Sequence, residues 1–153
     1  MSVQPQVAVL PIAALMFAAG LGIPVFAAFN SALGQQLGGP IPATAAAFAV
    51  GLLLSLAILA VVGFPPTEAF RFDRPYIWTG AVFILFYGAS VTFAAPRIGL
   101  GNAIFFVLLG QLVAAAAIDH LGLWGTTPSA LTLKRAAGIA VMALGVFLAR
   151  KPM

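Results

Sequence analysis

Residues 43–75 read ATAAAFAVGLLLSLAILAVVGFPPTEAFRFDRP. The first 21 of them, Ala43 to Gly63, carry no charge. About 20 apolar residues cross a bilayer as a helix. Pro65 and Pro66 end the run, because proline lacks the helical donor and clashes with the preceding turn. Only then do charges begin, with Glu68, Arg71, Asp73 and Arg74. The stretch reads as one membrane span and the loop that follows it.

The same grammar extends in both directions. Toward the N-terminus no charge occurs from Met1 to Thr67. The turn chemistry of GQQLGGPIP, residues 34–42, divides that run into two spans. The first covers about residues 7–33 and contains Gly20, Gly22 and Pro24. Pro24 predicts a kink or local unwinding there. The N-terminus has no basic segment before its apolar stretch, so the first helix is expected to stay rather than be cleaved as a signal peptide. Toward the C-terminus, Pro75 suits a first helical position and Pro96 a stop, giving a third span over residues 75–95. A fourth covers 99–121, with Gly122 as its C-terminal stop. Thr127-Pro128 reads as a cap and first turn for a fifth span, 128–150. Between Arg135 and Arg150 that span has 14 uncharged residues, about 21 Å of helix. Lys134 and Arg135 would therefore snorkel to complete the crossing.

Composition agrees. Charged residues make up 7% of the chain, against about 25% in soluble domains. Apolar runs are long and continuous, which favours helices over the alternating strands of a barrel. The expected fold is an all-α membrane protein, one domain of five transmembrane helices over residues 1–153. Its net charge of +4 comes from basic residues scattered at span ends. They read as interfacial anchors, not as a nucleic-acid surface. There is no cysteine, and a single His with one nearby Asp is too small a set for a metal, so no metal or other cofactor is expected. No nucleophile with a base, and no paired intramembrane carboxylates, appear. Gly20-Leu21-Gly22 sits inside a span without the strand–turn–helix setting of a phosphate loop. An enzyme is not expected.

An odd span count puts the termini on opposite sides. Trp78 and Trp124 then fall at span ends on the N-terminal side, where an aromatic belt is expected. Loops on that side hold Arg71, Arg74, Lys134 and Arg135, and the other side holds Arg97, Arg150 and Lys151. Orientation follows Lys/Arg bias, and four against three is almost no bias. Either the chain inserts both ways and pairs as an antiparallel dimer, or a weak bias fixes one orientation. Small residues such as Gly51 and Ser55, Ala114 to Ala117, and Gly138 with Gly145 permit close helix approach, within one chain or between two.

Few polar residues lie inside spans. Asn30, Tyr87 and Gln111 are the candidates for solute contact, with Asn102 as a lesser one. Serines and threonines of the spans, Thr92 among them, are expected to bond their own helix carbonyls. For the amides of Asn30 and Gln111 the competing role is bonding between helices. Asp119 is the acid closest to a span. It adjoins His120, and histidine as a residue type has an unperturbed pKa of about 6.5. The two are candidates for proton coupling, against a simple wetted helix end.

Several motifs occur in a telling order: Gly20-Leu21-Gly22-Ile23-Pro24, Asn30-Ser31-Ala32-Leu33-Gly34, Ala95-Pro96-Arg97-Ile98-Gly99, Gly110-Gln111-Leu112, Asp119-His120-Leu121-Gly122, and Arg135 with Gly138 and Gly145. Together they resemble the YdcZ-like family of bacterial inner-membrane proteins, within the drug/metabolite transporter superfamily. The resemblance covers essentially the whole chain. It implies a multi-pass inner-membrane protein, half of a ten-helix transporter built from inverted five-helix repeats. The other half would be an antiparallel copy or a paired homologous subunit, with the solute site near the midplane. The small multidrug exporters of that superfamily use a glutamate in the first helix. Span one here has no acid, and Asn30 takes the polar position. A neutral or amphipathic small solute then fits better than a strong cation, although Tyr87 and nearby phenylalanines could stack on one. The expected function is a subunit of a small-solute transporter working by alternating access in the lipid bilayer. A non-transporting scaffold or accessory subunit, or a passive channel, are the alternatives.

Overall fold

A computed structural model describes residues 9–149. Among them are five α-helices: α1 (Val9–Gln36), α2 (Pro40–Val62), α3 (Gly80–Ile98), α4 (Leu100–Leu121) and α5 (Leu133–Ala149). Four segments are long and apolar enough to cross a membrane: Val9–Gln36, Pro40–Val62, Pro75–Ile98 and Leu100–Leu121. The described part of α5 has 17 residues. The expected start at Val7, the expected end at Arg150 and the basic residue Lys151 lie outside the described residues.

The chain packs as two units, Met1–Phe93 and Ala94–Met153, with the division inside α3. In the first unit, α1 and α2 form an antiparallel hairpin. Its turn is tighter than the sequence reading expects. Leu37 and Gly39 donate to the carbonyls of Leu33 and Gly34, both at 2.8 Å. Gly38 between them takes a left-handed φ of 79°, which glycine adopts without penalty. Pro40 then starts α2 directly, since a first-turn proline gives up an N–H that has no helical acceptor anyway. Buried residues of α2 are confined to Ala43 and Thr44. The rest of that helix turns apolar side chains outward, as a span in lipid does.

Three expectations are corrected. Of the kink or local unwinding expected at Pro24, the unwinding does not occur, and α1 stays helical on both sides of the proline. Pro96 does not stop α3 at Ala95. The helix continues to Ile98, and Gly99 closes it by donating to the Ala95 carbonyl at 3.0 Å with a φ of 86°. A proline in a last turn removes one hydrogen bond, which the two remaining residues can tolerate. The last helix starts at Leu133 rather than Pro128. Its cap is Thr132, whose Oγ1 accepts from the Arg135 N–H at 3.2 Å and whose carbonyl accepts from Ala136 at 2.9 Å. Residues 126–132 are committed elsewhere. Ser129 N–H donates to the Asp119 carbonyl at 2.8 Å, and Leu131 N–H donates to His120 Nδ1 at 3.1 Å.

The loop before α3 carries the aromatic girdle. Trp78 stacks on Phe72 at 5.2 Å and on Phe70 at 6.2 Å, and its indole N–H donates to the Arg71 carbonyl at 3.3 Å. Amphipathic rings of this kind favour the water–lipid boundary. Gly122 ends α4 in the left-handed conformation, as the sequence predicts.

Candidate functional site

Helix α1 presents Asn30 six residues before its end, about 9 Å along the axis from the hairpin turn. The side chain is 3% exposed and meets polar groups from two other helices. Its Nδ2 donates to Thr44 Oγ1 of α2 at 3.2 Å and to Thr92 Oγ1 of α3 at 2.6 Å. The Thr44 hydroxyl in turn donates to the Pro40 carbonyl at 2.8 Å. Asn30, Thr44 and Thr92 thus tie α1, α2 and α3 at one point. Glycines make the approach possible. A Cβ on Gly34 would lie 2.6 Å from Thr92 Cγ2, and one on Gly88 would lie 2.9 Å from Thr44 Cγ2. Interhelical hydrogen bonds in membranes contribute about 0.6 kcal/mol each on average. The node is accordingly a modest clamp of well-defined geometry.

The node adjoins an open groove of about 420 Å³ in the same unit. Phe26, Phe29, Asn30 and Leu33 of α1 line one wall, and Val50 and Leu54 of α2 are on the other. Tyr87 stacks on Phe26 with ring centres 6.3 Å apart. Two buried polar atoms have no hydrogen-bond partner among the described residues, Asn30 Oδ1 and Tyr87 Oη.

The other candidates belong to the second unit. Asn102, in the first turn of α4, is buried and donates to the carbonyl of Ile98, the last residue of α3, 3.0 Å away. Gln111 sits exposed at the middle of α4. Asp119 forms an ion pair with Arg135, Oδ2 to guanidinium nitrogen 2.5 Å. Arg135 also reaches the Ser129 carbonyl and hydroxyl at 3.3 and 3.2 Å. It bridges α4, the connecting loop and α5. His120 borders an almost wholly apolar cavity of about 400 Å³, together with Val113, Leu131 and Ile139.

Sequence reasoning missed three partners. Thr44 was legible from hairpin symmetry, since positions 30 and 44 lie equally far from Leu37. Thr92 is an acceptor for another helix, where its type suggested bonding to its own. Arg135 was visible as a basic residue but not as the partner of Asp119.

Apolar helices long enough to span, with polar groups gathered between them beside a groove, define a polytopic α-helical membrane protein. The chain belongs to the YdcZ family: the model described as "Putative inner membrane exporter, YdcZ" matches residues 11–148. It is therefore a protein of the inner membrane, and exporter is the role that the family's description names. Comparison with curated proteins and with solved structures gives no match.

Proposed function

We propose that this chain is one half of a small-solute exporter of the drug/metabolite transporter type, completed by an antiparallel copy and working by alternating access. The observation that carries the reading is the Asn30 node, a polar point within the spans that opens beside a groove of ligand size. Pockets of roughly 300–1,000 Å³ suit small molecules. A scaffold needs the amide bonds but no groove, and here both occur together.

Pairing is supported by the near balance of basic residues and by Gln111. Helix α4 runs from Leu100 to Leu121, so Gln111 stands at its centre. An exposed amide at that depth calls for a polar partner, because lipid offers none. A two-fold axis in the membrane plane keeps a mid-helix residue at equal depth in both copies.

Asp119 is the proton-coupling candidate in this reading, with His120 beside it. Protonation of the carboxylate would release Arg135 and loosen the α4–α5 corner. Protonation of His120 at Nδ1 would release the Leu131 N–H in the same direction. Asn30 is the solute contact, Tyr87 backs the groove by stacking on Phe26, and Gln111 and Asn102 serve helix contacts.

Flux into proteoliposomes tests the reading. A half-transporter gives saturable flux, a channel gives flux linear in solute, and a scaffold gives none. Reporters fused to the C-terminus test the dimer: signal from both sides supports it, and signal from one side alone removes the antiparallel homodimer.

A further inference from the structure

The hydrogen bonds around Asn30 decide which part of its amide is left over. Thr44 has one hydroxyl proton and donates it to the Pro40 carbonyl. Toward Asn30 its oxygen can only accept. The amide must therefore turn its NH2 to Thr44, and a flipped amide would set two acceptors against each other. Thr92 takes the second N–H. What remains is Oδ1, an acceptor buried without a partner among the described residues.

Asn30 is also the one polar side chain among those lining the groove between α1 and α2. No acid or base lines it. An ion entering there would lose hydration without meeting a counter-charge. The walls offer apolar surface and two aromatic rings, Phe26 and Phe29.

We propose that this groove is the solute site and selects uncharged amphipathic molecules whose polar head carries an O–H or N–H donor. This rests on the exporter reading. The head donates to Asn30 Oδ1, which is covered in this structure and is reached when the side chains around it shift, and the apolar body lies along Leu33, Val50 and Leu54. Because the site presents an acceptor and no spare donor, it discriminates against ethers, carboxylates and quaternary ammonium ions of the same size.

The test is equilibrium binding to the full chain in nanodiscs, corrected with empty nanodiscs. The probes are 4-butylphenol, its methyl ether and phenyltrimethylammonium. The phenol is expected to bind saturably and roughly tenfold more tightly than the ether, the scale set by one buried acceptor. The quaternary ion is expected to show no saturable binding. Asn30→Leu should erase the preference. Because that change also breaks the node, Gly51→Leu provides an independent check. A Cβ on Gly51 meets nothing within 4 Å, so this variant fills the groove without a backbone clash. It should weaken phenol binding at least tenfold. Equal binding of phenol and ether, preference for the cation, or full phenol binding by Gly51→Leu would each overturn the assignment. Donor-selective binding without flux would keep the site and remove the exporter reading. Saturable flux without donor preference would keep the exporter and remove the site.

Discussion

Asn30 and Thr92 stand 62 residues apart in the chain, and the amide of one donates to the hydroxyl of the other at 2.6 Å. That bond fixes α3 against α1, and the second amide hydrogen brings in α2 through Thr44. Both N–H groups are consumed in holding the helices. The oxygen is left buried without a partner among the described residues, and in the proposed site it is the group a solute would bind.

Thr92→Val keeps the shape and deletes the acceptor. It should cost about 1 kcal/mol, within the range for interhelical hydrogen bonds in membranes. Thr92→Ser, which keeps the hydroxyl, should cost less. Asn30→Leu loses both bonds and should cost about 2 kcal/mol on the same scale. Reversible unfolding in mixed micelles measures all three. A neutral Thr92→Val would show that the bond does not hold α3.

Gly34→Ala should destabilise by about 1–3 kcal/mol, as overpacking typically does. The new Cβ would fall 2.6 Å from Thr92 Cγ2. Thr92→Ser removes that methyl and keeps the hydroxyl. The double variant should recover most of the loss, giving a coupling energy in a double-mutant cycle. Additive effects would mean that the two residues do not touch.

Much of the fold was readable because lipid leaves few choices. Runs such as 43–63 must be helical to satisfy their own backbone, and Pro65-Pro66 and Gly122 end them by local rules that need no tertiary knowledge. The errors fall where nonlocal contacts decide. Thr127-Pro128 has the form of a helix start, but Asp119 and His120 claim the N–H groups of Ser129 and Leu131, and Thr132 becomes the cap. For the site, Asn30 stood out by its type alone. Its partners did not, because a threonine in a span is equally able to bond its own helix, as Thr44 also does at Pro40. That Asn30 offers an acceptor rather than a donor depends on those partners, and no local signal carries it.

Asp119→Asn removes the charge that pairs with Arg135. The two side chains are 36% and 32% exposed, so water screens the pair and the stability loss should stay below about 1 kcal/mol. The functional effect should be larger. Transport that depends on pH in the wild type should become independent of it in this variant, with binding at the groove unchanged. An unchanged pH dependence would discard Asp119 as the coupling group.

In the proposed exporter, water and solute reach the α1–α2 groove inside the membrane. The chain has no cysteine, so single cysteines can be placed without background. Val50 lines the groove, and Leu52 lies two residues on, on another face of α2. Their exposures are nearly equal, 57% and 60%, so only their surroundings differ. Labelling of Val50→Cys and Leu52→Cys in membranes with a polar, impermeant maleimide separates water from lipid. The prediction is rapid labelling of Val50→Cys, slowed by 4-butylphenol, and little labelling of Leu52→Cys. Equal, slow labelling of both would mean that lipid fills the groove and would contradict the account.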